Sequence, residues 1–215
     1  MSSQDCNKSR IMAVAERLFA EHGYAATSVR TILSEAGVTG PTLYHYFGSK
    51  EDLLWSLVRL RLDELFGELA SESESFTSAE EVFSRFALRA LRQAKQHPNS
   101  TRLLFGVMFG PKSGLCQENL DATEDDYGQA LLTIVQRVAP NASESRVAFA
   151  VSMFDGMMTS LLRLLDKKLI TFEDETMAKA LGERAAGFLS DEMAVPEFHF
   201  RWLESSGENG NEGSS

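Results

Sequence analysis

An all-α fold is predicted by three features of the chain. Apolar residues recur three and four positions apart along most of its length, no alternating strand pattern competes with them, and five prolines in 215 residues leave long helices unbroken. With 43% hydrophobic residues the chain can bury a core. The spacing predicts about nine helices and no internal repeat.

The first helix is carried by Ile11, Val14, Ala15, Leu18, Phe19 and His22, and Gly23 stands where a left-handed C-cap belongs. Thr27 and Ser28 cap a second helix of about ten residues, whose buried face is Val29, Ile32, Leu33 and Ala36 and whose end is Gly37. A very short third helix follows, with Thr39 as N-cap, Gly40 and Pro41 in its first turn, and Leu43 and Phe47 on one face. Ser49 with Asp52 three positions on opens a fourth, continued by Leu53, Leu54, Leu57, Leu60 and Leu65. Further helices are expected near residues 78 to 96, 100 to 109, 126 to 139, 143 to 166 and 172 to 191, separated by Gly/Pro/Asn/Ser clusters at 97 to 99, 110 to 119 and 140 to 143. The last stretch, ESSGENGNEGSS at 204 to 215, has no apolar residue and is predicted to be disordered.

Charge is unevenly distributed. Residues 1 to 50 hold five Lys/Arg against four acids, a net +1, so of the total of −10 the remaining 165 residues carry −11. An acidic body is repelled from nucleic acid, which leaves the N-terminal segment as the face that can approach it. Cys6 and Cys116 form neither a disulfide framework nor a metal cluster, and no apolar run approaches the roughly 18 residues that span a bilayer, so a cytoplasmic chain without membrane contact is expected. Asn141-Ala-Ser143 matches a glycosylation acceptor and carries no weight without a secretion signal.

Two short helices joined by a glycine turn and braced by a longer one are what a helix-turn-helix requires. Gly37 permits the sharp reversal and Val38 plugs the angle. Because Leu43 and Phe47 turn the third helix inward, Thr42, Tyr44, His45 and Tyr46 are left facing outward or sideways. One of the two tyrosines can still pack between helices, but the three aromatic side chains cannot all do so. Exposed rings need a surface to touch, and the DNA major groove is one: tyrosine offers a flat ring and a hydroxyl, imidazole a donor to phosphate. Gly40 and Pro41 let the helix N-terminus come close to base edges. Thr27, Ser28, Thr39 and Lys50, at helix starts, supply hydroxyls, N–H groups and an ammonium for the backbone. Arg30 is the arginine placed to meet a guanine bidentately, its alternative being a salt bridge to Glu35 or Glu16.

Residues 28 to 54, SVRTILSEAGVTGPTLYHYFGSKEDLL, resemble the DNA-binding signature of the tetracycline-repressor (TetR) family: a turn glycine, a short Thr-Leu-Tyr-x-Tyr-Phe helix, then Ser-Lys-Glu. The likeness covers about 45 residues with the first helix included. It implies a homodimer with a helix-turn-helix domain over residues 1 to 56, a helical regulatory and dimerisation domain over 57 to 203 and a tail from 204. It places Arg30, Gly40, Pro41, Thr42 and Tyr44 at bases, and Thr27, Ser28, His45, Tyr46 and Lys50 at phosphates. Gly40 departs from the pattern, since many relatives carry a polar or basic side chain there.

In the second half, Phe83, Phe86, Phe105, Met108, Phe109, Met153, Phe154, Met157 and Met158 form a Met/Phe-rich set that could line a pocket for a small hydrophobic inducer, with Arg102 and Asp155 as orienting polar groups. The plainer reading is core. In the family two C-terminal helices pair with their mates as a four-helix bundle. Ala148, Gly156, Gly182, Ala185, Ala186 and Gly187 are small enough to allow that approach, and a two-fold DNA reader needs a partner to span half-sites about 34 Å apart.

No cofactor is called for. There is no phosphate-cradling loop, nucleophile elbow or metal-spaced His/Cys cluster, which argues against an enzyme; His97 and His199 have no companion ligands. Glu173-Asp174-Glu175 fits the first turn of a helix better than a metal. The expected function is a ligand-responsive dimeric regulator, most simply a repressor, on a palindromic operator; the alternative is a helical adaptor acting through protein partners. The segment holding Phe198, Phe200 and Trp202 is assigned no role.

Overall fold

The computed structural model describes residues 3 to 109 and 117 to 190. Of the break expected at 110 to 119, residues 110 to 116 lie outside the described residues, as do Cys116, the Phe198/Phe200/Trp202 segment and the tail from 204, while 117 to 119 are helical. Nine α-helices and one 3-10 turn are found among the described residues, and no strand: α1 (Ser3–His22), α2 (Val29–Ala36), α3 (Gly40–Phe47), α4 (Lys50–Glu72), the turn Ser73–Ser75, α5 (Ala79–Gln96), α6 (Pro98–Phe109), α7 (Gln117–Val138), α8 (Glu144–Asp166) and α9 (Asp174–Gly187).

The helix boundaries follow local chemistry. Gly23 at φ 82° returns its N–H to Phe19 and ends α1, and Gly37 at φ 61° caps α2 through Leu33. Ser28 caps α2 by accepting from the Thr31 N–H at 3.1 Å. A break of one residue, His97, separates α5 from α6, because Pro98 needs no N–H donor in a first turn. α7 begins nine residues before the expected position, over an acid-rich stretch that suits a helix N-terminus. α9 stops at Gly187 and is capped by the Glu173 carboxylate, which accepts from the N–H groups of Glu175 and Thr176, so that acid is occupied as a cap. α8 is long and apolar enough, by length and composition, to cross a membrane. A search for unbroken apolar runs misses it because Asp155 and Arg163 interrupt it.

The chain packs as two compact units. The first takes the chain to Leu65 and again from Gln93 to Thr123; the second takes Phe66 to Arg92 and the chain from Glu124, so α4, α5 and α7 each contribute to both. In the first unit Ile11, Leu18, Ile32, Leu43, Leu53, Leu54 and Leu57 are almost fully buried, and Leu103 and Val107 of α6 complete the same core. Thus α6, assigned by sequence to the regulatory domain, packs with the N-terminal helices. In the second unit Val82, Phe83, Leu91, Val135, Ala150, Phe154 and Ala185 form the core. At about 0.8 kcal/mol per buried methylene these side chains supply the main favourable contribution to each unit.

Candidate nucleic-acid interface

The recognition unit is built from α2, the Gly37 turn and α3. Ile32 and Ala36 bury one face of α2, Leu43 and Phe47 one face of α3, and Val38 is half-buried between them. Burying Leu43 and Phe47 fixes the rotation of α3 about its axis and so decides what it presents outward. Tyr44 is 52% exposed, Pro41 and His45 are exposed, and Thr42 and Gly40 are half-exposed. Tyr46 packs against the core, its ring 6.2 Å from Phe47 and edge-on to His45 at 5.3 Å. One tyrosine therefore braces the helix while the other stands free. Thr39, the N-cap, makes no capping bond; its hydroxyl meets that of Thr42 at 2.9 Å.

On α2, Arg30 is exposed, and both of its candidate salt-bridge partners are engaged elsewhere: Glu35 pairs with Arg17 and Glu16 with Arg61. That leaves an exposed guanidinium without an ion pair among the described residues; Ser28, at the start of the same helix, is exposed too, its hydroxyl bonded to that of Thr31.

Two of the expected phosphate contacts are corrected. Thr27 is only 3% exposed; its hydroxyl reaches the carbonyls of Gly23 at 2.8 Å and Leu18 at 3.2 Å, so the side chain holds the end of α1 and cannot meet phosphate. Lys50 is half-buried, and its ammonium donates to the carbonyls of Tyr24 and Thr27, both at 2.9 Å, while lying 4.1 Å from the Tyr24 ring centroid. Two of its three protons are thus engaged inside the head, and desolvation lowers its pKa. Tyr24, to which sequence reasoning gave no role, packs on Phe19 at 5.6 Å, and its own pKa is raised by desolvation and by Glu51 and Asp52. Its place directly after the helix-ending Gly23 was the available signal. Arg10 was also missed; its guanidinium reaches the carbonyl of Gly37 in the turn at 3.4 Å.

The expected ligand residues fall in both units. Phe83, Phe86 and Phe154 come together in the second, with ring centroids 4.8 Å (Phe83–Phe154) and 5.7 Å (Phe86–Phe154) apart. Phe66 and Tyr127, absent from the expected set, extend this cluster through Phe66–Phe86 at 5.1 Å and Phe66–Tyr127 at 4.8 Å. In the same unit Arg89 Nη1 and Gln129 Oε1 are buried with no partner among the described residues. Met157 is half-buried, Met153 is 37% exposed, and Asp155 is exposed although desolvation raises its pKa. Phe105, Met108, Phe109 and Arg102 belong to the first unit; Phe105 and Phe109 lie 6.1 Å apart, Phe109 is 59% exposed, and Arg102 is exposed and bonded to Asn99 at 3.3 Å. Arg102 is therefore corrected as a polar group lining an interior pocket.

The expected dimer contacts also need revision. Ala148 and Ala185 are buried inside the protomer, and a Cβ on Gly182 would meet the Glu80 carbonyl at 2.7 Å and the Ser84 backbone nitrogen at 2.8 Å, so these three serve packing within one chain. Gly156 faces outward, with nothing within 4 Å of an added Cβ among the described residues, and Ala186 is half-buried.

The model of the family described as "Bacterial regulatory proteins, tetR family" matches residues 11–57. The HTH-type transcriptional repressor KstR2 of Rhodococcus jostii is 40% identical over 67 residues, 31% of this chain and 33% of that protein. The HTH-type transcriptional regulator HbdR of Aromatoleum is 34% identical over 70 residues, 33% of this chain and 31% of that protein. The matched region thus spans about a third of the length of these curated relatives. Among solved structures, the TetR family transcriptional regulator PfmR from Thermus thermophilus superposes with a TM-score of 0.63 at 27% identity, covering 84% of this chain and 99% of that one. The fatty acid degradation regulator FadR from Bacillus halodurans has a TM-score of 0.69 at 19% identity, covering 83% and 97%, and shares the fold. All four are regulators, not enzymes.

Proposed function

We propose that the chain, whose residues 11–57 match the tetR family of bacterial regulatory proteins, is a cytoplasmic, ligand-responsive transcriptional repressor of that family that binds a palindromic operator as a homodimer. The observation that carries this reading is the outward face of α3: Leu43 and Phe47 are sealed in the core while Pro41, Tyr44 and His45 stand in solvent, and Arg30 of α2 is exposed with no ion pair among the described residues. A face of that composition has no function in the fold itself and suits a groove. Residues 1 to 56 hold the reading head and the later helices the regulatory part.

The dimer face is reassigned to the outer stripe of α8, where Phe149, Met153, Gly156, Ser160 and Leu164 follow helical spacing opposite the buried Val147, Val151, Phe154 and Met158. Met153 and Leu164 are each 37% exposed, and Gly156 allows a second helix to approach closely. The inducer is a largely apolar small molecule. The Phe66/Phe83/Phe86/Tyr127/Phe154 cluster and the buried Arg89 and Gln129 atoms support that reading. Binding shifts the dimer toward a form whose recognition helices no longer match the groove spacing.

The test is to let the full chain select duplexes from a random-sequence pool and to measure affinity for the winner across salt concentrations. A palindrome bound by two chains, with affinity falling steeply as salt rises, is expected. Failure to enrich any sequence, or salt-indifferent binding, would sink the proposal.

A further inference from the structure

Within the first unit, one half-buried acid on α1 gathers polar bonds from two other helices. Glu16 of α1 is only 14% exposed in its side chain, yet its carboxylate accepts from Arg61 Nε of α4 at 3.3 Å and from Arg61 Nη2 at 3.5 Å. It also accepts a bond from the hydroxyl of Ser100 on α6, a residue 2% exposed. Arg61 is itself 14% exposed and reaches Glu64 at 2.9 Å; its backbone carbonyl accepts from the Gln93 side-chain amide at 3.0 Å. Arg61 stands four residues before the chain leaves the first unit at Leu65, and Gln93 is the first residue on its return. The same three helices, α1, α4 and α6, also share the apolar core, through Ile11 and Leu18, Leu57, and Leu103 and Val107.

A half-buried ion pair in such a place is a poor source of stability, since the desolvation of its charges offsets much of their attraction. What it does enforce is register, because a helix slid by one turn would strand a charge among apolar side chains. We infer that Glu16 is a positioning residue for DNA recognition: with Arg61 and Ser100 it locks α6 and the return of α5 to α1, the helix against which α2 and α3 pack, and so holds the reading head in the geometry that base reading needs. This rests on the DNA-binding function proposed above.

The experiment uses the full-length protein, the duplex it selects from a random pool, and a scrambled duplex of equal length. Two variants are compared with wild type: Glu16→Gln, and the apolar triple E16L/R61M/S100A, which removes the Glu16–Arg61 pair and the Ser100 hydroxyl together and leaves the exposed Glu64 carboxylate to solvent. Thermal melting of each is followed in parallel, and affinities are taken where all are folded. The expected result is a loss of at least tenfold in affinity for the selected duplex, scrambled-duplex affinity within about twofold of wild type, and a triple variant melting within a few degrees of it. Charge-driven, nonspecific binding tolerates a loose head, whereas base reading does not. Wild-type affinity for the selected duplex in both variants overturns the inference. So does equal loss on both duplexes in step with a fallen melting temperature, which is plain destabilisation. Should wild type select no duplex, it is the DNA-binding function that fails.

Discussion

The Lys50 ammonium lies over the Tyr24 ring at 4.1 Å and donates to the Tyr24 carbonyl at 2.9 Å, which ties the first turn of α4 to the loop between α1 and α2. A second bond, to the Thr27 carbonyl, reaches the residue whose hydroxyl in turn caps the end of α1 at Leu18 and Gly23. The Tyr24 carbonyl also accepts from the Thr27 N–H at 3.3 Å, so the lysine adds a second donor to a turn that the backbone already closes.

Lys50→Ala is accordingly a stability variant. A hydrogen bond to a charged group contributes about 1.5–3 kcal/mol and a partly exposed cation–π contact about 0.5–1 kcal/mol. Because the ammonium is only half-buried, a net loss of about 2 kcal/mol is expected, read as a lower melting temperature. Lys50→Arg should share much of that loss, since a planar guanidinium cannot aim at both carbonyls from the same stem. If Lys50→Ala melts like wild type and only DNA affinity falls, the ammonium is a phosphate contact and not a clamp.

Arg30 gives the opposite pattern. Exposed and without an ion pair among the described residues, it contributes nothing to the head that truncation would remove. Arg30→Ala should leave the melting temperature unchanged while weakening binding to the selected duplex by about 1–3 kcal/mol and relaxing preference at one base pair. Repeating the duplex selection with the variant checks this. An unchanged preferred sequence, or an equal loss on a scrambled duplex, would move Arg30 to the phosphate backbone.

The contrast between these residues marks what the sequence could reveal. Helical spacing placed Leu43 and Phe47 inward and hence Tyr44 outward, because rotation about a helix axis is a local property. Thr27 and Lys50 were misread because a threonine and a lysine at helix starts look alike whether they face solvent or a neighbouring carbonyl, and that depends on how α1 meets α4. Small residues misled in the same way. Gly182 and Ala185 do mark a close helix approach, but spacing cannot say that the neighbour is α5 of the same chain. The packing of α6 with the N-terminal helices is likewise a long-range outcome, carried by Leu103, Val107 and Ser100, the last bonded to Glu16 across 84 positions of sequence.

Gly182 supports a direct test of that packing. In an exposed helix, replacing glycine by alanine gains about 1 kcal/mol of propensity. Here the added methyl would sit inside 3.0 Å of two backbone atoms of α5, the Glu80 carbonyl and the Ser84 nitrogen, and would strike the Ser84 hydroxyl. Overpacking costs about 1–3 kcal/mol, and backbone cannot give way as a flexible side chain can. Gly182→Ala should therefore lower the melting temperature, whereas Gly67→Ala in α4, with nothing within 4 Å of the new methyl, should hold or raise it. Equal behaviour of the two variants would mean that α9 does not pack this closely on α5.

Asp155 predicts a pH dependence of defined sign. Desolvation raises its pKa in the folded chain above the ordinary 3.8, although the residue is exposed, so its ionised form opposes folding. At pH below 3.8 the carboxyl is protonated folded or unfolded, and it contributes no difference. As pH rises from there the unfolded chain ionises first, and stability falls until the folded carboxyl has ionised too, after which the penalty is constant. Asp155→Asn removes an ionisable group without changing shape. It should raise the melting temperature at about pH 7, with the gain shrinking toward zero as pH is lowered through the carboxylate range. Melting curves of the two proteins at about pH 3, 5 and 7 decide the matter. A gain that is absent at neutral pH, or that grows on acidification, would show that the carboxylate has a stabilising partner in the folded protein.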